Sequence, residues 1–306
     1  MTAGPLDPGA ARPAPFGERL AAAMVAFGPL CAGIDPHPGL LAAWGLPDDA
    51  SGLRSFALTV VDALGGQVAA LKPQSALFER HGSAGMAVLE EVIAAARSAH
   101  TLTIVDAKRG DIGSTMTGYA EAFLREGSPL AGDALTVSPY LGFGSLQPAI
   151  DIAAANGRGL FVLCLTSNPE GAQVQHARTA SGETVAAQIA RQAGAVNAAE
   201  LADRGGSAAG ASVPSMGSVG LVVGATIGDA ARTTGVDLSA VRGPLLAPGV
   251  GAQGAGSAEL AQVFGSARGQ VLASSSRGVL AAGPDGRALL AAARRAADDA
   301  AQALQG

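Results

Sequence analysis

Charge is scarce in this chain: Asp, Glu, Lys and Arg together make up only 15% of its 306 residues, and the formal net charge is −5. No block of basic residues runs longer than a few positions. That argues against a nucleic-acid-binding or membrane-surface protein working through a positive face, and leaves small anionic ligands met by individual Lys and Arg. Long apolar runs are missing too. A membrane span needs roughly 18 consecutive apolar residues, and none occurs despite a mean hydropathy of +0.31. The opening "MTAGPLDPGAARPAPFG" has no apolar core of the signal-peptide kind, so residues 1–16 read as a flexible tail and the protein as cytoplasmic. Only two cysteines are present, Cys31 and Cys164, both inside apolar runs, which favours small buried residues over a disulfide pair. The four histidines, His37, His81, His100 and His176, show no paired spacing, and no Cys/His/Asp cluster of metal-site type appears.

What is present is hydrophobic substance, 48% of the chain, enough to exclude a disordered polymer and to fill the core of one large domain. Eight short apolar runs recur: "LCAGID" (30–35), "VAALKP" (68–73), "LTIVDAK" (102–108), "ALTVSP" (134–139), "LFVLCLTS" (160–167), "GLVVGAT" (220–226), "LLAPGV" (245–250) and "QVLASSSR" (270–277). Ala-rich segments of helical spacing lie between them, at 85–99, 184–202 and 259–264, and a long one follows at 286–304. Repeated β-then-α units predict a single-domain (β/α)₈ TIM barrel over 17–306. A doubly wound open sheet competes, but no Gly-rich dinucleotide fingerprint follows the first strand. Surplus length is placed in the tail and in the Gly/Ser-rich stretch 204–220, expected to be a surface loop.

On this reading Asp35, Lys72, Asp106, Lys108, Ser138, Ser167, Thr226 and Arg277 all sit at or just beyond the C-terminal end of a strand, the rim where barrel enzymes gather catalytic groups. The densest stretch is "VDAKRGD", with four charges, Asp106, Lys108, Arg109 and Asp111, within six residues. Strand alternation puts Asp106 and Lys108 on one face, inside the barrel, with Ala107 behind. Asp111 falls on the loop, where Gly110 and Gly113 permit tight turns. A purely structural salt bridge is the plainer alternative, yet a buried ion pair returns little once desolvation is counted. Lys72, ending the neighbouring strand, completes an alternation of Lys and Asp. Such an array orients a lysine as proton donor and suits chemistry in which negative charge appears on a carbon and is then protonated.

The Gly-rich "APGVGAQGAGS" (247–257) after strand seven and "SSSRGVL" (274–280) after strand eight match the place where this fold binds phosphate. In "LTSNPEG" (165–171), Ser167 and Asn168 either read the edge of a heterocycle or cap the next segment; the sequence leaves both open.

Taken in order, "CAGIDPHP", "KPQSALFERHG", "VDAKRGDIGST", "SPYLGFGSLQP", "LTSNPEG", "LAPGVGAQG" and "SSSRG" resemble the orotidine 5′-phosphate decarboxylase family, in particular its longer bacterial (type 2) subgroup. The resemblance implies a carboxy-lyase of pyrimidine biosynthesis that needs neither cofactor nor metal. It implies Lys108 as proton donor to C6 of the pyrimidine, Asp106 beside the substrate carboxylate, and Lys72 completing the array and touching the ribose. Asp111 and Thr115 would serve the partner subunit's site in a homodimer. Asp35 would bind the ribose, Ser167 the pyrimidine edge, and Gln253 and Arg277 the phosphate. Two rivals share these motifs: a Mg²⁺-dependent sugar-phosphate decarboxylase or aldolase of the same barrel superfamily, and a nucleotide-binding protein without activity.

Overall fold

A computed structural model of the chain describes residues 14–205, 215–250 and 255–305. Eight strands, β1 (Leu30–Ile34), β2 (Ala70–Pro73), β3 (Leu102–Arg109), β4 (Ala134–Val137), β5 (Gly159–Leu165), β6 (Val219–Val223), β7 (Leu245–Pro248) and β8 (Val271–Ser275), pair in sequence order and all in parallel. β8 returns to β1, so the sheet closes into the expected barrel.

Helices surround it because each intervening segment has an apolar stripe of helical period. Ala50–Leu64, for example, buries Leu53, Phe56, Ala57, Val60, Val61 and Leu64, and Asp49 caps it by accepting from the Ser51 and Gly52 amides. The Ala-rich helices Gly82–Ser98, Val185–Asp203, Ser257–Phe264 and Gly286–Gln305 stand where the sequence periodicity puts them.

Two cores result. The larger fills the space between sheet and helices; the smaller fills the barrel. Each strand sends one residue into the latter: Cys31, Ala70, Ile104, Ala134, Phe161, Val222, Leu246 and Leu272. The floor is closed by the helix Phe16–Phe27, whose Phe16 and Leu20 are fully buried in that same cluster. The Phe16 ring meets Phe161 edge-on at 5.9 Å between centroids, and a Cβ on Gly159 would lie 2.1 Å from it, so only glycine admits the plug. The expected tail over 1–16 thus reaches too far: Phe16 is a core residue, while positions 1–13 lie outside the described residues. Most of the predicted loop over 204–220 also lies outside them, but its end does not. Met216 and Ser218 are buried and Val219 already belongs to β6.

No helix among the described residues is long and apolar enough to cross a membrane.

Candidate active site

Counting two residues up each strand from the barrel core, the side chains keep facing inward. Ala70 leads to Lys72, Ile104 to Asp106, Ala134 to Thr136 and Leu272 to Ser274, all four of them buried. An apolar floor therefore carries a polar layer directly above it. On β1 the corresponding residue is Gly33, where a Cβ would stand 1.9 Å from Ser276 Oγ; its absence lets the β8 end close over the site. A cavity of about 520 Å³ opens above this layer, lined among others by Asp35, Lys72, Asp106, Lys108, Thr136 and Arg277.

At its centre the Asp106 carboxylate is fully engaged. Lys72 Nζ donates to one oxygen at 2.8 Å, while Lys108 Nζ, at 2.5 Å, and Thr136 Oγ1, at 2.9 Å, donate to the other. Lys72 is buried, whereas the Lys108 side chain is 45% exposed, so its ammonium is the one that faces arriving ligand. Burial on its own would raise the carboxyl pKa of Asp106, but Lys72 and then Lys108 outweigh it and draw it down to about 2. Burial would likewise lower Lys72, and the charges of Asp106 and Asp35 reverse the sign and leave it raised. Asp35 brings a second carboxylate to the cavity wall, and its Oδ1 is buried with no hydrogen-bond partner among the described residues.

The sequence placed Lys108 inside by simple alternation, and the structure reaches the same place differently. Val105 pairs with Leu135 and Arg109 with Val137, so three residues of β3 stand opposite Thr136 alone. The surplus is absorbed by a left-handed backbone at Lys108, φ +48°. Ala107 is packed against the helix-side core as expected. Beyond the bulge, Arg109 is pinned by Glu79 and lies over the rings of Tyr119 and Phe123 at 5.5 and 5.4 Å.

Several rim residues do not converge on the cavity. Ser138 instead donates its amide to the Arg109 carbonyl and leaves room for Gly110, whose Cβ would meet the Ser138 carbonyl at 2.5 Å. Ser167 and Thr226 are exposed and absent from the lining. Asp111 accepts from its own neighbour's amide, that of Ile112, and neither it nor Thr115 lines the cavity of this chain. Gln253 lies outside the described residues, while Pro248, Gly249 and Val250 of the same loop do line the cavity. Sequence reasoning missed Thr136, Gln74 and Ser274. Strand parity is the available signal, since each lies two residues above an inward-facing position: Ala134, Lys72 and Leu272 respectively.

A model of the orotidine 5′-phosphate decarboxylase / HUMPS family matches residues 28–292. The chain belongs to this family. Within the family, curated relatives called orotidine 5′-phosphate decarboxylase include one from Salinispora arenicola, 59% identical over 95% of this chain and 99% of that one. Another, from Streptomyces coelicolor, is 56% identical over 92% and 95%. Among solved structures, a candidate orotidine 5′-phosphate decarboxylase from Streptomyces avermitilis superposes with a TM-score of 0.89 at 55% identity, covering 99% of this chain and 100% of that one. The OMP decarboxylase of Leishmania donovani gives 0.69 at 27% identity, over 94% and 98%.

For a decarboxylase-family site the low pKa of Asp106 has a measurable consequence. Its folded value of about 2 lies below the value of about 3.9 in an unfolded chain. Its stability contribution is therefore full at neutral pH and is lost as pH falls from about 4 to about 2. The gap corresponds to roughly 2–3 kcal/mol. Urea titrations are expected to show wild-type stability falling by about 2 kcal/mol more than that of Asp106→Asn between about pH 5 and pH 2. Parallel pH dependences would contradict the paired, ionised state.

Proposed function

We propose that the chain converts orotidine 5′-monophosphate to uridine 5′-monophosphate and carbon dioxide, the last step of pyrimidine nucleotide synthesis, without a metal. The observation that carries this is the Asp106 carboxylate, held ionised between Lys72 and Lys108 within a cavity at the C-terminal rim. The family membership and the names of close relatives support the same reading.

The substrate carboxylate would lie against Asp106. When the bond from C6 to the carboxylate carbon breaks, its electron pair stays on C6, carbon dioxide departs, and a proton moves from Lys108 Nζ to C6. Lys108 is then reprotonated by solvent. The cation array provides the positive field in which the carbanion forms, and the fixed ion pairs mean little reorganisation is needed at that moment. Lys72 and Asp35 serve the ribose, and the Oδ1 of Asp35, without a hydrogen-bond partner among the described residues, is an acceptor for a hydroxyl. Arg277, on the cavity wall, and Gln253 serve the phosphate. For Ser167 at the pyrimidine edge the support is its motif alone.

The second element of the proposal is a homodimer with shared sites. Asp111 and Thr115 do not line their own chain's cavity. Beside them, Ile112 is 62% exposed, and after β4 Tyr140 is 76% and Leu141 53% exposed, an apolar rim suited to a second copy.

The Mg²⁺-enediolate reading meets a physical obstacle, since both Asp106 oxygens are already taken by ammonium groups where a cation would have to bind. The test is loss of orotate absorbance with the purified protein in excess EDTA. Turnover equal to that with added Mg²⁺ is expected; activity that appears only with Mg²⁺ would sink the proposal.

A further inference from the structure

Lys108 holds an uncommon backbone conformation for a residue with a side chain, and something must hold it there. Its amide cannot use the regular β3–β4 ladder, because Asp106, Ala107 and Lys108 together face the single residue Thr136. The amide donates instead to Thr136 Oγ1 at 2.9 Å. That hydroxyl has one proton, and the proton is committed: a carboxylate only accepts, so the 2.9 Å contact with Asp106 Oδ1 must have threonine as donor. Oγ1 thus accepts from the backbone of one charged residue and donates to the side chain of the other. Thr136 is 1% exposed, and its branched Cβ restricts χ1, so the hydroxyl has little freedom to turn elsewhere. On the far side the bulge is fixed by Arg109, whose carbonyl accepts from the Ser138 amide and whose guanidinium is held by Glu79.

We infer that Thr136 is a positioning residue for the decarboxylation, setting the mutual geometry of Asp106 and Lys108 through its single hydroxyl. The inference rests on the proposed function for its kinetic consequence, but not for its structural one. Valine would fill the volume and satisfy neither contact. Serine would keep both contacts with a looser rotamer.

Thr136→Val is expected to lower kcat for orotidine 5′-monophosphate by about 10- to 100-fold while KM changes less than about threefold, the pattern of a misplaced reacting group. Thr136→Ser is expected to restore most of kcat. Independently of activity, the Lys108 amide of the Val variant, followed by NMR hydrogen exchange, is expected to exchange at least about tenfold faster than in wild type, with the Ser variant close to wild type. Val kinetics and exchange both matching wild type would overturn the inference, as would a Ser variant as impaired as Val, since packing rather than the hydroxyl would then matter. If wild type itself does not decarboxylate this substrate, the functional proposal fails and the exchange comparison still decides the positioning role. Should the Val variant not fold, Thr136→Ala is read by the same two measurements.

Discussion

Replacing Lys108 by alanine is expected to lower turnover of orotidine 5′-monophosphate at saturation by at least ~10³-fold, the joint loss of a positioned proton donor and a fixed positive charge. The residue is singled out by exposure as well as by contact. Lys72 also touches Asp106, but it is buried at the top of β2, whereas nearly half of the Lys108 side chain opens to the cavity. Charge and proton transfer can be separated with Lys108→Arg. Arginine retains the cation but does not give up a proton in proteins, so this variant is expected to stay within about tenfold of the Ala variant. A Lys108→Ala protein within tenfold of wild-type turnover would remove Lys108 from the chemistry. An active Arg variant beside an inactive Ala one would reduce its role to that of a charge.

The barrel was legible because its evidence is local and repeated. Eight apolar runs of strand length, each followed by helical periodicity, admit few other folds, and each predicted run overlaps an observed strand. Their ends were less legible. The runs at 134–139, 160–167, 220–226 and 270–277 continue past Val137, Leu165, Val223 and Ser275, because a barrel strand stops where its neighbours stop pairing, which single runs do not encode. Lys72 and Asp106 were readable from parity and proximity, and their contact is present. Lys108 came out on the correct side by an argument that does not describe it. Alternation presumes a regular strand, and the bulge that turns Lys108 inward depends on the register of β3 against β4. Thr136 was passed over for a related reason: a threonine inside "ALTVSP" looks like ordinary β-strand composition until its partners across the sheet are known. Phe16 was hidden by its company, since Pro and Gly on its N-terminal side read as tail while the residue itself plugs the barrel.

Mixing two inactive proteins, Asp106→Ala and Asp111→Ala, is expected to regenerate activity, and the amount follows from symmetry. If each site takes Asp106 from one chain and Asp111 from its partner, a hybrid dimer has one site lacking both carboxylates and one site lacking neither. Equal mixing with free exchange makes about half of the dimers hybrids, so about one quarter of all sites are intact. If Asp111 instead acts in its own chain, every site in the hybrid is missing one carboxylate and nothing is recovered. In the single chain the Asp111 carboxylate accepts from the Ile112 amide, and Asp111 does not line the cavity. Subunit exchange is verified with differently tagged chains. No recovery after proven exchange would place Asp111 in its own chain's site or outside the chemistry altogether, and the exposed Ile112, Tyr140 and Leu141 would then need a different occupant.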